Sequence, residues 1–148
     1  MLVRAYREAD EQAVIAQWNL LLSDGAPHND PATAIRKKLA VDRDLFLVAV
    51  AEEKVIGTVM GGYDGHRGWI YSVAVDPAHQ RRGVGSALLH RVEEALIQRG
   101  CPKVNLQVRT SNAEVIAFYR QLGYAVEERV TMGKRLYAGN ALENPNLS

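Results

Sequence analysis

The sequence predicts a mixed α/β fold built around an antiparallel meander of strands. Three apolar strand patterns follow one another closely at residues 45–51, 55–63 and 69–75. Turn signals separate them, including Asp64-Gly65, and helical apolar stripes come before and after the group. Closely spaced consecutive strands are expected to pair antiparallel. Because this order is not a repeated strand–helix–strand array, a doubly wound dinucleotide-binding fold is not predicted.

One strand and two helices are predicted before the meander. Residues 2–5 have the pattern of a short strand, and residues 10–22 carry apolar side chains at helical spacing, with Asp10 as a candidate N-cap. A loop follows. Asp30 and Pro31 then mark the N-cap and the first residue of a second helix.

After the meander, the pattern returns to helices. An amphipathic stretch at residues 83–99 ends at Gly100, and a strand pattern follows at residues 103–108. The spacing of Ser111 and Glu114 is that of a capping box, which opens a helix that runs to Leu122.

The last part of the chain has fewer patterns that predict structure. Gly123 closes the predicted fourth helix, and residues 124–135 are expected to contain the last strand or strands. The Asn-rich tail at residues 138–148 is expected to be frayed. A single domain over residues 2–137 is therefore predicted, in keeping with a chain of 148 residues.

Composition excludes several classes of protein. The net charge of +1 argues against a dedicated nucleic-acid binder, and 47% hydrophobic residues can build an ordinary globular core. No apolar run reaches the roughly 20 residues of a membrane span, and the charged N-terminal segment does not resemble a signal peptide. Cys101 is the only cysteine, so no internal disulfide is expected. These features predict a cytoplasmic protein.

The most informative stretch is Gln-Arg-Arg-Gly-Val-Gly-Ser at residues 80–86, between a buried strand and a helix start. The first turn of a helix has free N–H groups and a partial positive charge, so it can bind phosphate oxygens. A solvated loop is the simpler interpretation. The Walker pattern is absent, and Leu88 stands where a dinucleotide fingerprint needs glycine. The remaining hypothesis is that this helix start binds a pyrophosphate ligand that is neither a nucleoside triphosphate nor a dinucleotide.

Two motifs resemble those of the GNAT superfamily of N-acetyltransferases. Residues 80–86, after Val-Ala-Val-Asp-Pro, resemble its acetyl-CoA motif, and residues 112–124 resemble its Asn…Phe-Tyr…Gly-Tyr segment. The strand and helix order agrees over residues 2–137. The stretch at residues 57–68 is similar to the bacterial YpeA-type subgroup.

The resemblance implies a GNAT-like fold: a mixed, mostly antiparallel sheet splayed at its parallel strand pair and flanked by about four helices. It also implies acetyl-CoA as cosubstrate. The strand edge would bind the pantetheine arm, the helix start would bind the pyrophosphate, and Asn112 would bond the arm. The residues implied in binding are Val73, Val75, Arg81, Arg82, Gly83, Val84, Gly85, Ser86 and Asn112.

Tyr119 stands where the family places its general acid. A phenol has a reference pKa of about 10 and can protonate a leaving thiolate. Its helical spacing from Val115 equally suits a core tyrosine. The general base is open: residues 67–72 contain no carboxylate, which leaves Asp64, His66 or water alone.

Three further features have plain interpretations. The histidines show no metal-ligand spacing, so no metal site is predicted. Cys101 is taken as structural, which disfavours an acetyl-cysteine intermediate. The loop at residues 27–31 is either a specificity loop for the acceptor or a stiff turn.

The sequence therefore predicts an N-acetyltransferase that moves acetyl to a primary amine by direct attack. The alternative is a non-catalytic module that binds CoA or acetyl-CoA. The acceptor would be a small molecule or a protein amine, with no nucleic-acid or membrane partner. Nothing in the sequence requires a homodimer, although the last strand offers an edge for one.

Overall fold

The computed structural model describes residues 1–22 and 30–136. Most of the loop predicted at 27–31, and the tail at 138–148, lie outside these residues. The chain divides into two compact units, Met1–Leu106 and Gln107–Ser148. In the described ranges, no helix has the length and apolarity needed to cross a bilayer.

The first unit contains a five-stranded mixed sheet whose spatial order follows the chain order. The first three pairings are antiparallel and the last is parallel. This confirms the predicted fold class. The strands are β1 (Leu2–Ala5), β2 (Phe46–Ala51), β3 (Lys54–Tyr63), β4 (Gly68–Val75) and β5 (Val104–Leu106).

The described residues form four α-helices. The first unit contains α1 (Glu11–Leu21), α2 (Pro31–Asp42) and α3 (Val84–Gln98), and the second unit contains α4 (Ala113–Gln121). The predicted cap of α2 is confirmed, because the Asp30 carboxylate accepts a hydrogen bond from the Thr33 amide at 3.1 Å. The helix then begins at Pro31, whose missing N–H would have no intrahelical partner at that position.

Asp10 is the N-cap residue of α1, as predicted, but its side chain makes no capping hydrogen bond to that helix. Residues Glu8–Asp10 form a short 3-10 turn ahead of the helix, and the Asp10 carboxylate accepts two hydrogen bonds from Arg4 instead, at 2.8 and 2.9 Å. The Arg7 amide adds a third at 2.8 Å. Burial alone would raise the pKa of Asp10, but these bonds from Arg4 and Arg7 hold it below its ordinary value.

The N-terminus of α4 also differs from its prediction. Asn112, one residue after the predicted Ser111, is the N-cap, and its side-chain oxygen accepts from the Val115 amide at 3.3 Å. At the other end, Gly123 adopts a φ of 94° and its amide bonds the Arg120 carbonyl. The predicted stop is therefore confirmed, because the left-handed region favours glycine.

The sheet of the first unit is covered on both faces. Along β3, Thr58 and Met60 point to the opposite face from Gly57 and Gly61 because successive side chains alternate. The first face meets α1 and α2 in an apolar cluster that also contains Trp18, Ile35, Phe46, Val48 and Ala74. The second face meets α3: a methyl group built on Gly61 would approach Val92 to 2.6 Å, so only glycine allows this close packing.

The turn between β2 and β3 lies at Glu52 and Glu53. Both residues have positive φ, 50° and 64°. Two left-handed residues in a two-residue connection are the signature of a type I′ hairpin, which Asn-Gly usually forms. Two glutamates therefore occupy a strained conformation here.

The strand or strands predicted at residues 124–135 are absent from the structure. The described residues 124–136 form no strand, and four apolar side chains in them are largely exposed: Val126, Val130, Met132 and Leu136. A strand needs a neighbouring ladder of hydrogen bonds, and alternation in the sequence does not supply one. Backbone hydrogen bonds in this segment are local, such as the one that the Arg129 amide donates to the Glu127 carbonyl at 2.9 Å.

Candidate functional site

The β4 strand changes its pairing halfway along its length. Gly68–Ile70 pairs with Val104–Leu106 of β5, and the described residues show no β5 partner for positions 71–75. On the other side, the strand stays paired with β3. The second half of β4, which includes Val73 and Val75, therefore has one open edge. An open edge can pair with the amides of an extended ligand.

A β-bulge lies where the pairing with β5 stops. Thr58 and Met60 on β3 are two positions apart, but their partners Ala74 and Tyr71 on β4 are three apart. The extra residue is accommodated at Ser72, whose φ of 53° is uncommon for a residue with a Cβ atom. The bulge turns the backbone of β4 between its closed and its open half.

The N-terminus of α3 is built to leave its amides free. Gly83 is the N-cap with a φ of 81°, and a methyl group built on it would meet no atom within 4 Å. The Ala87 amide makes a bond to the Gly83 carbonyl at 3.0 Å, so the amides of residues 84–86 come before the helical ladder. They suit an anion that approaches along the helix axis.

This helix start differs from the two others that have polar N-caps. Asp30 caps α2 and Asn112 caps α4 with side-chain oxygens, but Gly83 has no side chain to do so. The first turn of α3 carries no acidic residue, and Arg81 and Arg82 are exposed beside it. No negative group of that turn competes for the amides, so the residues present fit the pyrophosphate of CoA.

Individual members of the predicted site contribute differently. The side chain of Val84 is buried, so its role at the site is limited to its amide. Arg81 has a φ of 63°, which bends the loop just before Gly83. The Val75 carbonyl accepts from the Gln80 side chain at 3.2 Å, and its second lone pair remains for a ligand.

Two of the predicted residues, Asn112 and Tyr119, lie in the second unit. Asn112 already uses its side-chain oxygen to cap α4, which leaves its amide group as the donor. Tyr119 is nine-tenths buried, and the rings of Phe118 and Tyr124 contact it edge-on at centroid distances of 5.2 and 5.6 Å. Burial raises the pKa of Tyr119 above 10.0, so the phenol keeps its proton at neutral pH.

Asp64 has a structural task in the turn after β3. Its carboxylate accepts from the amides of Arg67 and His66, each at 2.8 Å, and these bonds lower its pKa. A carboxylate that is held in this way is a weaker base. His66 lies in the same exposed turn.

Two buried polar residues of the first unit were not predicted from the sequence. Lys38 is 6% exposed, donates to the Gly61 carbonyl, and lies 5.5 Å from the ring centroid of Tyr71. Burial lowers the pKa of Lys38. Thr58 is fully buried and bonds Ser72. A lysine on the apolar face of a helix and a threonine inside an apolar strand were the available signals.

The structure offers no metal centre within residues 1–22 and 30–136, where no group of three metal-ligating side chains comes together. Cys101 is partly buried, and its thiol donates to the Lys103 carbonyl at 3.3 Å. A methyl group built on Gly68 would approach the Cys101 sulfur to 2.6 Å. Cys101 therefore packs at the closed half of β4.

Comparison with known proteins identifies the family. The model of the acetyltransferase (GNAT) family matches residues 11–124. Acetyltransferase ECA0875 of Pectobacterium atrosepticum is 47% identical over 139 residues, 92% of this chain and 96% of that protein. Its name favours turnover over a binding module.

Two solved structures share the fold. Aminoglycoside 6'-N-acetyltransferase AAC(6')-Ig of Acinetobacter haemolyticus has a TM-score of 0.75 at 23% identity, covering 91% of this chain and 98% of that one. AAC(6')-Iy, solved with a CoA bisubstrate analogue, has a TM-score of 0.76 at 18% identity, covering 90% and 97%. The present chain belongs to the GNAT family and is an acetyl-CoA-dependent acetyltransferase.

Proposed function

We propose that the protein transfers acetyl from acetyl-CoA to a primary amine by direct attack, with Tyr119 as general acid. The observation that carries the proposal lies in the first unit. There the open edge of β4 ends at Val75, and eight residues later Gly83 is the N-cap of a helix that has no side-chain cap. One feature suits an extended amide-bearing arm and the other suits a pyrophosphate.

Binding in this proposal is divided between backbone groups. The open backbone of Val73 and Val75 pairs with the amides of the pantetheine arm, and an amide of this strand donates to the thioester oxygen as negative charge develops. The amides of residues 82–86 and the guanidinium groups of Arg81 and Arg82 hold the pyrophosphate. When bound, acetyl-CoA supplies the activated acetyl group. The Asn112 amide group bonds the arm.

Tyr119 would donate a proton to the thiolate that leaves. The raised pKa of its buried phenol supports this role, because the group stays protonated over the pH range in which amines are acetylated. The attacking amine must lose a proton as well. Since the carboxylate of Asp64 is bonded by two amides of its own turn, we propose that this proton passes to water.

Replacement of Tyr119 by phenylalanine tests the assignment. Tyr119→Phe keeps the edge-on ring contacts and removes only the proton donor, so kcat is expected to fall by about 10²–10⁴-fold while the KM for acetyl-CoA changes little. The measurement is the single-turnover rate, with the melting temperature determined on the same sample. The rate of the native protein should also fall as pH rises through the Tyr119 pKa, above 10.0, and this decline should be missing in Tyr119→Phe.

Tyr124→Phe is the matched control, because it removes the same atom from the ring that contacts Tyr119. We expect it to keep nearly the native rate. A folded Tyr119→Phe variant that transfers acetyl at the native rate would make Tyr119 a packing residue and leave the acid unassigned.

The acceptor is proposed only as a primary amine. Release of free CoA thiol, measured over a panel of peptide α-amines, lysine, polyamines and aminoglycosides, identifies its class. Thiol release that requires none of these amines would contradict the proposal. We also propose that residues 2–137 act as one acetyltransferase domain, supported by the family match over 11–124, and that the chain belongs to the YpeA-type subgroup, supported by residues 57–68.

A further inference from the structure

A buried chain of hydrogen bonds connects α1 to the bulge of β4. The indole Nε1 of Trp18 donates to the Thr58 hydroxyl at 2.8 Å, and this hydroxyl donates to the Ser72 carbonyl at 2.9 Å. Trp18 is 3% exposed and Thr58 is fully buried. The Thr58 oxygen therefore accepts and donates at once, and its two partners lie on different elements of the first unit.

The Ser72 backbone needs this support. Its φ of 53° is unfavourable for a residue with a side chain, and such a conformation persists where surrounding contacts hold it. The bulge also takes Ser72 out of the regular ladder with β3, since the register passes from Met60–Tyr71 to Thr58–Ala74. The Thr58 hydroxyl supplies the carbonyl with a donor at that break.

The position of the bulge connects it to ligand binding. Pairing between β4 and β5 ends at Ile70, and the open edge begins with the next residue, Tyr71. Val73, the residue after Ser72, is the first of the two proposed to pair with the pantetheine arm. The direction in which its amide and carbonyl point depends on the backbone rotation at Ser72.

We propose that Trp18 and Thr58 are positioning residues for acetyl transfer: their hydrogen bonds hold the bulge at Ser72, and the bulge orients the open edge of β4 toward the pantetheine arm and thioester. The inference rests on the acetyl-CoA site proposed above. Both side chains are buried, so both act through the strand.

If Trp18 and Thr58 only stabilised the fold, their replacement would affect ligand binding differently. The difference can be measured because CoA has two separable halves. The nucleotide half, adenosine 3′-phosphate 5′-diphosphate, carries the pyrophosphate and reaches only the helix start at Gly83. Acetyl-CoA adds the arm that uses the β4 edge. Loss of positioning should weaken the binding of acetyl-CoA alone. Loss of folded protein should weaken the binding of acetyl-CoA and of the nucleotide half in proportion.

The experiment compares Thr58→Val, which removes the hydroxyl at nearly constant shape, with Thr58→Ser, which keeps it. Calorimetry measures the affinity for acetyl-CoA and for the nucleotide half, and single-turnover kinetics with a reactive amine measures transfer. For Thr58→Val we expect unchanged affinity for the nucleotide half. We expect a fall of about 10- to 100-fold in kcat/KM for acetyl-CoA, as for a small misplacement of reacting groups. Thr58→Ser should restore it.

Trp18→Phe extends the test if Thr58→Val does not fold. It removes the indole donor but leaves the Thr58 hydroxyl bonded to the Ser72 carbonyl. It should show the same selective loss, smaller in size. Thr58→Val with native acetyl-CoA affinity and native transfer would overturn the inference. A parallel decline of both affinities with the folded fraction would overturn it too.

The Gly83→Asp variant separates this inference from the site on which it rests. If the helix start does not bind the pyrophosphate, Gly83→Asp keeps native CoA affinity, and the proposed site itself fails. If Gly83→Asp loses CoA while Thr58→Val behaves like the native protein, the site stands and the positioning role of Trp18 and Thr58 is wrong.

Discussion

The two halves of β4 differ in what surrounds their backbone. Gly68–Ile70 has a partner strand on each side, whereas positions 71–75, among the residues that the structure describes, are paired on the β3 side only. One strand thus anchors the sheet with its first half and leaves its second half free for a ligand. The bulge at Ser72 allows both, because it changes the backbone direction within a single continuous strand.

The largest expected effect comes from a negative charge at the N-terminus of α3, the helix that follows the open half of β4 in the chain. Gly83→Asp places a carboxylate beside the first amides of α3, where the pyrophosphate is proposed to bind. Repulsion between the two anions should weaken CoA binding by about 100-fold or more. Calorimetry on the folded variant measures this change.

Gly83→Asn is the matched control for that experiment. Asparagine has the same size as aspartate and also tolerates the φ of 81° found at this position, but it is neutral. It should keep most of the CoA affinity. Equal losses in the two variants would mean that shape, rather than charge, governs the helix start. Native affinity in Gly83→Asp would contradict the pyrophosphate site.

A smaller effect is expected in the closed half, and it should appear in stability instead of binding. The methyl group of Gly68→Ala would approach the Cys101 sulfur to 2.6 Å, and overpacking of this kind costs about 1–3 kcal/mol. Chemical denaturation measures the loss. Acetyl-CoA affinity of the folded protein should remain native, since Gly68 lies outside the open edge.

The Cys101→Ala background provides the control, because it removes the atom that Gly68→Ala would meet. The cost of Gly68→Ala should shrink there, which a double-mutant cycle reports as a coupling energy. Additive effects would show that another contact limits position 68. A loss of acetyl-CoA affinity in Gly68→Ala would show that the two halves of β4 do not act separately.

The smallest effect concerns Lys38, whose ammonium group lies against Tyr71 at the junction of the halves. Burial lowers the pKa of Lys38 from its ordinary value of 10.5, against a smaller opposing influence of Asp42, while Arg99 lowers it further. Between the folded and the unfolded pKa, the unfolded chain therefore binds more protons. The free energy of unfolding should rise as pH increases through this window and fall as pH decreases.

Lys38→Met should remove this dependence, and Lys37→Met, at the exposed neighbouring position, should keep it. Urea titrations at a series of alkaline pH values measure the difference. The same slope in Lys38→Met and in the native protein would assign the dependence to another group.

The sequence predicted most of the fold for identifiable reasons. Periodicity located the three strands of the meander, and Asp30, Pro31 and Gly123 marked helix ends because each acts within a few residues of itself. Asp10 shows the limit of such reasoning. Its carboxylate had the right place for an N-cap, but Arg4 on β1 offered two charge-assisted bonds, which a local pattern does not reveal.

The candidate site likewise has features that the sequence predicted and features that it did not. Gly83 and the arginines before it were found because a helix start and its charges are adjacent in sequence. The bulge was not found, because Ser72 and Thr58 are fourteen residues apart and their hydrogen bond depends on strand register. Trp18 is forty residues from Thr58, and its periodicity indicated only a core position. Strand propensity at residues 124–135 likewise carried no information about a pairing partner.

The hairpin at Glu52 and Glu53 has a consequence for the evolution of this protein. Each residue holds a left-handed conformation that Asn-Gly adopts with less strain, so the chain sits below the stability available to its own fold. A residue with a side chain that is held in such a sparsely populated conformation costs about 1–3 kcal/mol, part of which Asn-Gly would recover. The turn connects β2 to β3, and both glutamates are exposed. It therefore gives selection, or a protein engineer, a way to compensate for acceptor-changing substitutions that would otherwise unfold the enzyme.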